Sequence, residues 1–426
     1  MRILLTSHGL PPDSVGGVEQ HVSGLADALV DLGHEVTLLA RANLDKREEG
    51  ALEHVHDGNP STWRAAYRWE QVGSLADMYT SAPMAETTAT FLRERRAAGD
   101  TFDVAHVHHL TGMSIDSLAA LRDEGVPTVL TLHDYWTFCP RGQMFHHDGS
   151  ACETATIERC AGCLQKTFPW WLRERPEETV AALHERARAA LAVPQRLVVP
   201  SARVIPPFAA LGVPRERFVV VENGVDTERL EQLAAPTGGP GPLRIGYFGT
   251  LMPSKGLDVL LDAVAGLPRG LVELHIHGNA VPYHGDESFL TRCFMRLSPG
   301  SGVTYHGPYS LEEMPARMAT VDVLAAPARW HEAFGLTVRE ALAARRPVLV
   351  SRVGGLQDAV EDGVQGRVLP PGDPAAWAEA IRSLAEDRAR WSEMVAACRG
   401  RARGFGAMAA ELADLYREVA PGPAIS

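Results

Sequence analysis

The sequence predicts an α/β protein built from two doubly wound domains in tandem. Three observations carry that expectation. A strand, glycine loop, helix and second strand open the chain; short, continuous apolar runs bounded by turn residues recur after it; and the pattern restarts beyond a Pro- and Gly-rich break at residues 231–242. At 426 residues the chain is too long for one ordinary core, and its length suggests roughly two or three domains.

The opening unit reads RILLTS, a loop to Gly16-Gly17, VEQHVSGLADALVDLG and HEVTLLA. Val18, Val22, Leu25, Leu29 and Leu32 repeat at the helical period, and Gly33 stops the helix. DVAHVHH, PTVLTLHD, RLVVPS and FVVVENG follow as buried parallel strands. EQLAAPTGGPGP has no periodicity and reads as a linker. After it, LRIGYFG, LVELHIHG, VTYHGPY, VDVLAAPA and PVLVSRVGG alternate with helical stretches such as GLDVLLDAVAGL. The stretch from Trp377 to Val419 is rich in Ala, Arg and Glu and is expected to be helical. The expected boundaries are a first domain over 1–230, a linker over 231–242, a second domain over 243–385, and a helical segment over 386–426 that packs back on the first domain. Such sheets bind ligands beyond the carboxyl ends of their strands, so two facing domains predict a deep interdomain cleft.

Composition narrows the function. With 53 acidic against 41 basic residues the net charge is -12, which argues against general nucleic-acid binding through phosphate neutralisation. SHGLPPDSVGG lacks the G-x-G-x-x-G spacing of a dinucleotide fingerprint. MRILLTSHGLPPD reads as a first strand rather than a signal peptide, and no apolar run reaches membrane-spanning length. A cytoplasmic protein is expected.

Four motifs fall in loops that follow strands: Gly16-Gly17, His133-Asp134, GTLMPSKG and HEAFGLTVREAL. With ENGVD (Glu222 to Asp226) and SRVGGLQDAVEDGVQGRVLPPGD, this order resembles the family-4 retaining glycosyltransferases, also called glycosyl transferases group 1, from residue 1 to at least Asp373. The resemblance implies a GT-B fold, two tandem Rossmann-like domains facing an interdomain cleft. It also implies transfer of a hexose-like sugar from a nucleotide-sugar donor to a hydroxyl acceptor, as in the synthesis of glycolipids, polysaccharides or small glycosides. The E-x(7)-E spacing alone is a weak signal; six pieces in order are a strong one.

By this resemblance Glu340 holds the ribose hydroxyls and Glu332 faces the donor sugar, while Phe334, Gly335 and Leu336 offer main-chain amides at a helix start, a ready anion site. A carboxylate accepts two hydroxyl protons, which suits both ends of such a donor. Lys255 lies on the pyrophosphate, His133 hydrogen-bonds the transferred sugar, and Gly16 and Gly17 form the loop that the diphosphate approaches. The chain departs from the family at Thr250, where G-R-L is usual, so Lys255 stands without its usual arginine partner. A hydroxyl, main-chain amides, Arg329 or Arg345 are the candidates to compensate. Catalysis is expected to need no cofactor or metal, the leaving pyrophosphate itself accepting the proton of the incoming hydroxyl.

Cys139, Cys152, Cys160 and Cys163 lie in one span, ending in a C-x(2)-C pair. In a reducing compartment that pattern suggests a structural zinc ion, or an iron–sulfur cluster, with His146 and His147 as substitute ligands. A subset of the family has a similar HDYW…CPRG stretch with following cysteines, so 139–163 is read as a cysteine-containing insertion beside the acceptor side. Trp170 and Trp171 offer either peripheral contact with the inner membrane face or lid packing, and Trp330 either lines the donor pocket or packs beneath it. Two readings compete with transfer: a nucleotide-sugar epimerase on the same fold, and a non-catalytic nucleotide-sugar-binding protein. Thr250 favours the second; Glu332, Glu340, Lys255 and His133 count against it.

Overall fold

The computed structural model describes residues 1–239, 241–295, 297 and 300–420. Pro240 of the expected linker and residues 421–426 of the expected C-terminal segment lie outside the described residues. The chain forms two compact units, one of Met1–His147, Glu153–Gly224 and the chain from Phe405, the other of Asp148–Cys152 and Val225–Gly404.

The first unit is built on strands β1 (Arg2–Ser7), β2 (Glu35–Ala42), β3 (Leu52–His56), β4 (Ser61–Ala66), β5 (Val104–Val107), β6 (Thr128–Thr131), β7 (Arg196–Val199) and β8 (Phe218–Val220). Their order across the sheet is β3-β4-β2-β1-β5-β6-β7-β8, parallel throughout except for the antiparallel β3–β4 pair. Ile3, Val104, Val129 and Val198 are buried, as strands covered on both faces require. The order reverses direction beside β1, so the loops after β1, β5 and β6 converge at a switch point where such sheets bind ligands.

The second unit uses β9 (Leu243–Phe248), β10 (Val272–His277), β11 (Val303–Tyr305), β12 (Val323–Ala326), β13 (Val348–Ser351) and β14 (Gly366–Leu369). They form one parallel sheet ordered β11-β10-β9-β12-β13-β14. Here β9 is the first strand of the unit and again lies at the switch point. The turns after β9 and β12 carry Lys255 and Glu332.

The C-terminal helices divide between the units. Trp377, Ile381, Trp391 and Met394, on the helices Pro374–Glu386 and Arg388–Ala397, fill the core of the second unit. Only the helix Phe405–Val419 joins the first, where Met408, Leu412 and Tyr416 pack with Val22, Leu25 and Leu29 of the helix Gly17–Asp31. Gly24 sits under Phe405: a Cβ there would lie 2.4 Å from the ring. The Tyr416 hydroxyl meets His106 Nδ1 at 2.6 Å, tying this last helix to β5. Among the described residues no helix is long and apolar enough to cross a membrane.

Candidate active site

In the second unit the site starts from the turn after β12. Gly335 adopts φ +81° and caps the helix Leu336–Ala343, where a Cβ would lie 2.3 Å from Leu356 Cδ2. The first amides of that helix have no intrahelical acceptor and point outward with the positive end of its dipole. Neighbouring groups fix the turn. The Gly355 amide donates to the Glu332 carbonyl at 2.7 Å. Gly354 (φ +44°) lies so close that a Cβ there would be 2.1 Å from the same oxygen. Buried Arg339 donates to the carbonyls of Phe334 and, at 2.9 Å, Gly355, with its guanidinium carbon 3.9 Å from the centre of the Phe334 ring.

Two acids and one cation face this turn. Lys255, in the short 3-10 turn Pro253–Lys255, places Nζ 2.7 Å and 3.0 Å from the two carboxylate oxygens of Glu332. The ammonium also lies 5.3 Å from the centre of the Trp330 ring, so the buried Trp330 lines this pair. Glu340, on the same helix as Leu336, is buried and has no side-chain hydrogen bond among the described residues. Burial, reinforced by the charge of Asp226, pushes its pKa up to about 7. Thr250 lies on the loop after β9, where its carbonyl accepts from the Tyr247 hydroxyl at 2.9 Å. Arg329 lies against the lysine turn, its amide donating to Ser254 O at 2.8 Å and its side chain pairing with Asp258 at 3.3 Å. Arg345 reaches elsewhere, to the Leu233 carbonyl.

The first unit gathers a histidine cluster at the carboxyl ends of β1, β5 and β6. His133 Nε2 lies 3.2 Å from His108 Nδ1, and its ring centre 4.8 Å from that of His21. Burial and mutual repulsion hold His106, His108 and His133 well below the ordinary imidazole range, and burial pushes His21 down to about 3. All four are therefore neutral near pH 7. Neither ring nitrogen of buried His21 has a hydrogen-bond partner. His109 pairs with Asp134 at 3.3 Å, and a small pocket is lined by His108, His109, His133, Asp134 and Trp136. Gly16 caps the helix Gly17–Asp31 in an extended conformation, where a Cβ would lie 2.7 Å from the buried carboxylate of Glu19.

Among the described residues, two groups of three metal-ligating side chains have ligand atoms within 4.8 Å of one another: His21, His108 and His133, and His146, His147 and Cys163; the expected set of Cys139, Cys152, Cys160 and Cys163 does not form such a group. The second lies in the insertion, where the His147 amide also approaches Cys163 Sγ at 3.3 Å. Cys160 precedes Cys163 by one turn of the helix Ile157–Thr167. The six cysteines form no disulfide. Trp170 is exposed and packs edge-on to Trp171. Sequence reading singled out His133 but passed over His21, His106, His108 and His109. The alternating histidines of DVAHVHH were the available signal, hidden by the apolar look of the strand.

Comparison with known proteins now bears on these two units. A family model described as Glycosyltransferase Family 4 matches residues 15–229, and one described as Glycosyl transferases group 1 matches residues 242–387. D-inositol 3-phosphate glycosyltransferase 1 of Catenulispora acidiphila is 29% identical over 96% of this chain and 92% of its own. Phosphatidyl-myo-inositol mannosyltransferase of Mycobacterium leprae is 28% identical over 96% and 94%. Among solved structures, sucrose-phosphate synthase of Thermosynechococcus elongatus aligns with a TM-score of 0.70 at 20% identity, covering 98% of each chain. HepE of Anabaena, in complex with UDP, aligns at 0.69 and 17% identity, covering 98% of this chain and 100% of its own.

The turn geometry yields a test of its own. Gly354→Ala drives a methyl into the Glu332 carbonyl at a positive φ, and is expected to destabilise the second unit by about 2–4 kcal/mol. Thermal or urea unfolding measures it; a variant as stable as the parent would mean that the turn relaxes freely.

Proposed function

The chain belongs to glycosyltransferase family 4, and from that membership we propose that it is a retaining transferase whose second unit holds a nucleotide-sugar donor through Glu340, Glu332, Lys255 and the start of the helix Leu336–Ala343. The observation that carries the reading is Glu340. A buried carboxylate with no hydrogen-bond partner and a raised pKa is costly to the folded chain. Two ribose hydroxyls would satisfy it. The amides of Phe334, Gly335 and Leu336 suit phosphate and sugar oxygens, since they sit at a helix start. In the free protein Lys255 is held by Glu332; a diphosphate entering beside them competes for the ammonium and leaves Glu332 able to accept from sugar hydroxyls. Thr250 contributes its main chain at the position where an arginine is usual.

Turnover then rests on positioning and on stabilising the leaving diphosphate, with Lys255 and the helix dipole supplying positive charge without a metal ion. The leaving phosphate takes the proton of the attacking hydroxyl, which enters on the same face and retains configuration. His133, neutral and at the edge of the first unit's sheet, is suited to hydrogen-bond the transferred sugar. The names of two relatives, a D-inositol 3-phosphate glycosyltransferase and a phosphatidyl-myo-inositol mannosyltransferase, make a polyol acceptor the first class to assay.

We also propose that the insertion 139–163 is held by a structural zinc ion. Cys163 with His146 and His147 offers mixed thiolate and imidazole donors, and Cys160 lies one helical turn away. Nitrogen and sulfur together suit tetrahedral zinc better than an all-thiolate iron–sulfur cluster.

Three outcomes test these proposals. Ionised Glu340 is the form that accepts two hydroxyls, and its pKa of about 7 in the free protein lies above the ordinary carboxylate value. Nucleoside diphosphate affinity should therefore rise about tenfold from pH 6 to pH 8 relative to Glu340→Gln, in which this component is absent. The same raised pKa means that the folded state holds the extra proton, so its contribution to stability falls as pH rises from about 5 to 7. Equal pH profiles in calorimetric titrations of parent and variant would remove Glu340 from the ribose. Lys255→Ala should lower transfer at saturating donor by about 10²–10³-fold; near-normal turnover would hand the pyrophosphate to another cation, Arg329 first. Elemental analysis should find about one zinc per chain, lost in the Cys160→Ser, Cys163→Ser double variant. Cys139→Ser would show whether that thiolate completes the shell. Metal-free parent protein, or iron with visible absorption, would overturn the zinc assignment.

A further inference from the structure

Arg41 stands near the carboxyl end of β2, on the edge of the sheet that also carries His8 after β1 and Thr111 after β5. Its stem is held from three sides. Nε donates to the Thr111 carbonyl at 3.0 Å, and the guanidinium carbon lies 5.2 Å from the Trp69 ring centre and 5.9 Å from that of Tyr67. Gly112, at φ +69°, leaves the room the stem occupies: a Cβ there would lie 2.3 Å from Arg41 Cδ. The fork is thus fixed in direction before any ligand arrives. Yet neither Nη atom of Arg41, nor the hydroxyl of Tyr67, has a hydrogen bond or ion pair among the described residues. Other arginines of the same unit are paired, Arg64 with Asp13 at 2.6 Å and Arg2 with Glu35 at 2.9 Å.

The charges around Arg41 do not neutralise it. Glu19 is the acid whose charge acts on it, but that carboxylate is already engaged by the Ser14 hydroxyl and by His8 Nε2 at 3.4 Å. Burial lowers the pKa of Arg41, and Arg41 in turn helps to hold His8 neutral. A half-buried guanidinium whose Nη donors are open to solvent and have no bonded counter-ion is ready for an anion, and a planar fork recognises phosphate or carboxylate in bidentate fashion. Trp69, largely exposed, presents a flat apolar face beside it, suited to the body of a sugar or polyol ring.

We propose that Arg41, with the Tyr67 hydroxyl, binds an anionic group on the acceptor, so that the hydroxyl compound glycosylated here carries a phosphate or carboxylate. The proposal rests on the transferase reading above and names the class of its acceptor. It assigns to the first unit an anion site separate from Lys255.

The test is binding rather than turnover, so that it stands apart from the transferase reading. Inorganic phosphate is titrated by calorimetry into the full chain, Arg41→Gln, Arg41→Lys and Lys255→Ala. The expected result is a phosphate site that survives Lys255→Ala, weakens about tenfold to a hundredfold in Arg41→Gln, and weakens less in Arg41→Lys, which keeps the charge but loses the fork. Unchanged melting temperatures, and unchanged affinity for whichever nucleoside diphosphate the parent binds, show that the variants fold. Glucose 6-phosphate and glucuronate then distinguish phosphate from carboxylate, with glucose as the uncharged control; the preference of the parent for one anion over glucose should collapse in Arg41→Gln. Phosphate binding indifferent to Arg41, no phosphate binding in the parent, or equal binding of glucose and both anions would each overturn the proposal. A chain that binds phosphate through Arg41 but transfers no sugar would instead sink the transferase reading and leave the site.

Discussion

The second unit depends on one close contact, the packing of Gly354 and Gly355 against the backbone of Glu332. The Gly355 amide donates to the Glu332 carbonyl at 2.7 Å, and a side chain at Gly354 would collide with that oxygen. Because the carbonyl is fixed, the carboxylate of Glu332 points toward Lys255, and the chain turns through Gly335 into the helix whose first amides stay free. Arg339 closes the same turn from behind by taking the Phe334 and Gly355 carbonyls. Rigid backbone here matters more than any single side chain, since an anion site made of amides is only as good as the orientation of the peptide planes.

In the first unit the constraint is different: imidazoles stacked at the end of a sheet without charge. His106 is satisfied at both nitrogens, by Tyr416 and by Thr131 at 2.6 Å each, and His108 meets His133. Removing protons from this cluster costs little because burial has already disfavoured the charged forms. What results is a polar but uncharged floor. Such a floor can donate and accept hydrogen bonds without attracting anions. The helix Phe405–Val419 contributes to that floor through Tyr416, so a segment far along the chain helps to hold a strand-end histidine.

The grouping proposed as the donor side was largely legible in the sequence because its residues are local. Glu332, Gly335 and Glu340 fall within one turn and helix, and Lys255 lies in a short loop after an obvious strand; spacing alone brings such residues near each other. The same reasoning anticipated strands β1, β2 and β5 through β13 with their alternation of helices, and left β14 inside a motif. It failed where distant segments supply the partners. His21 comes from a helix, His108 from β5's end and His133 from β6's end, and their meeting follows from strand order, which no local pattern encodes. Arg41 looked like an ordinary charged residue after an apolar strand, and only the absence of a bonded counter-ion sets it apart. The strands β3 and β4, with exposed faces and mixed composition, gave no periodic signal. In the insertion, cysteine spacing suggested a four-sulfur set, whereas the fold of the loop brings His146 and His147 to Cys163 instead.

Charge gives the arrangement its logic. A chain with a net charge of -12 repels anionic ligands at long range, so any anion it binds must be captured by local donors that outweigh that field. Lys255 is kept in place by Glu332, so on the proposed reading it is available to a diphosphate, which can compete with a carboxylate, and not to a neutral sugar. Arg41 has no bonded carboxylate to replace and is instead held by a carbonyl and two rings. The first arrangement favours selectivity, because a weak anion cannot displace the resident acid; the second favours ready capture, because nothing must leave. On the proposed reading each suits its ligand: a donor that should dock only when its full diphosphate is present, and an acceptor that has to be caught by one charged group while its hydroxyl stays free to react.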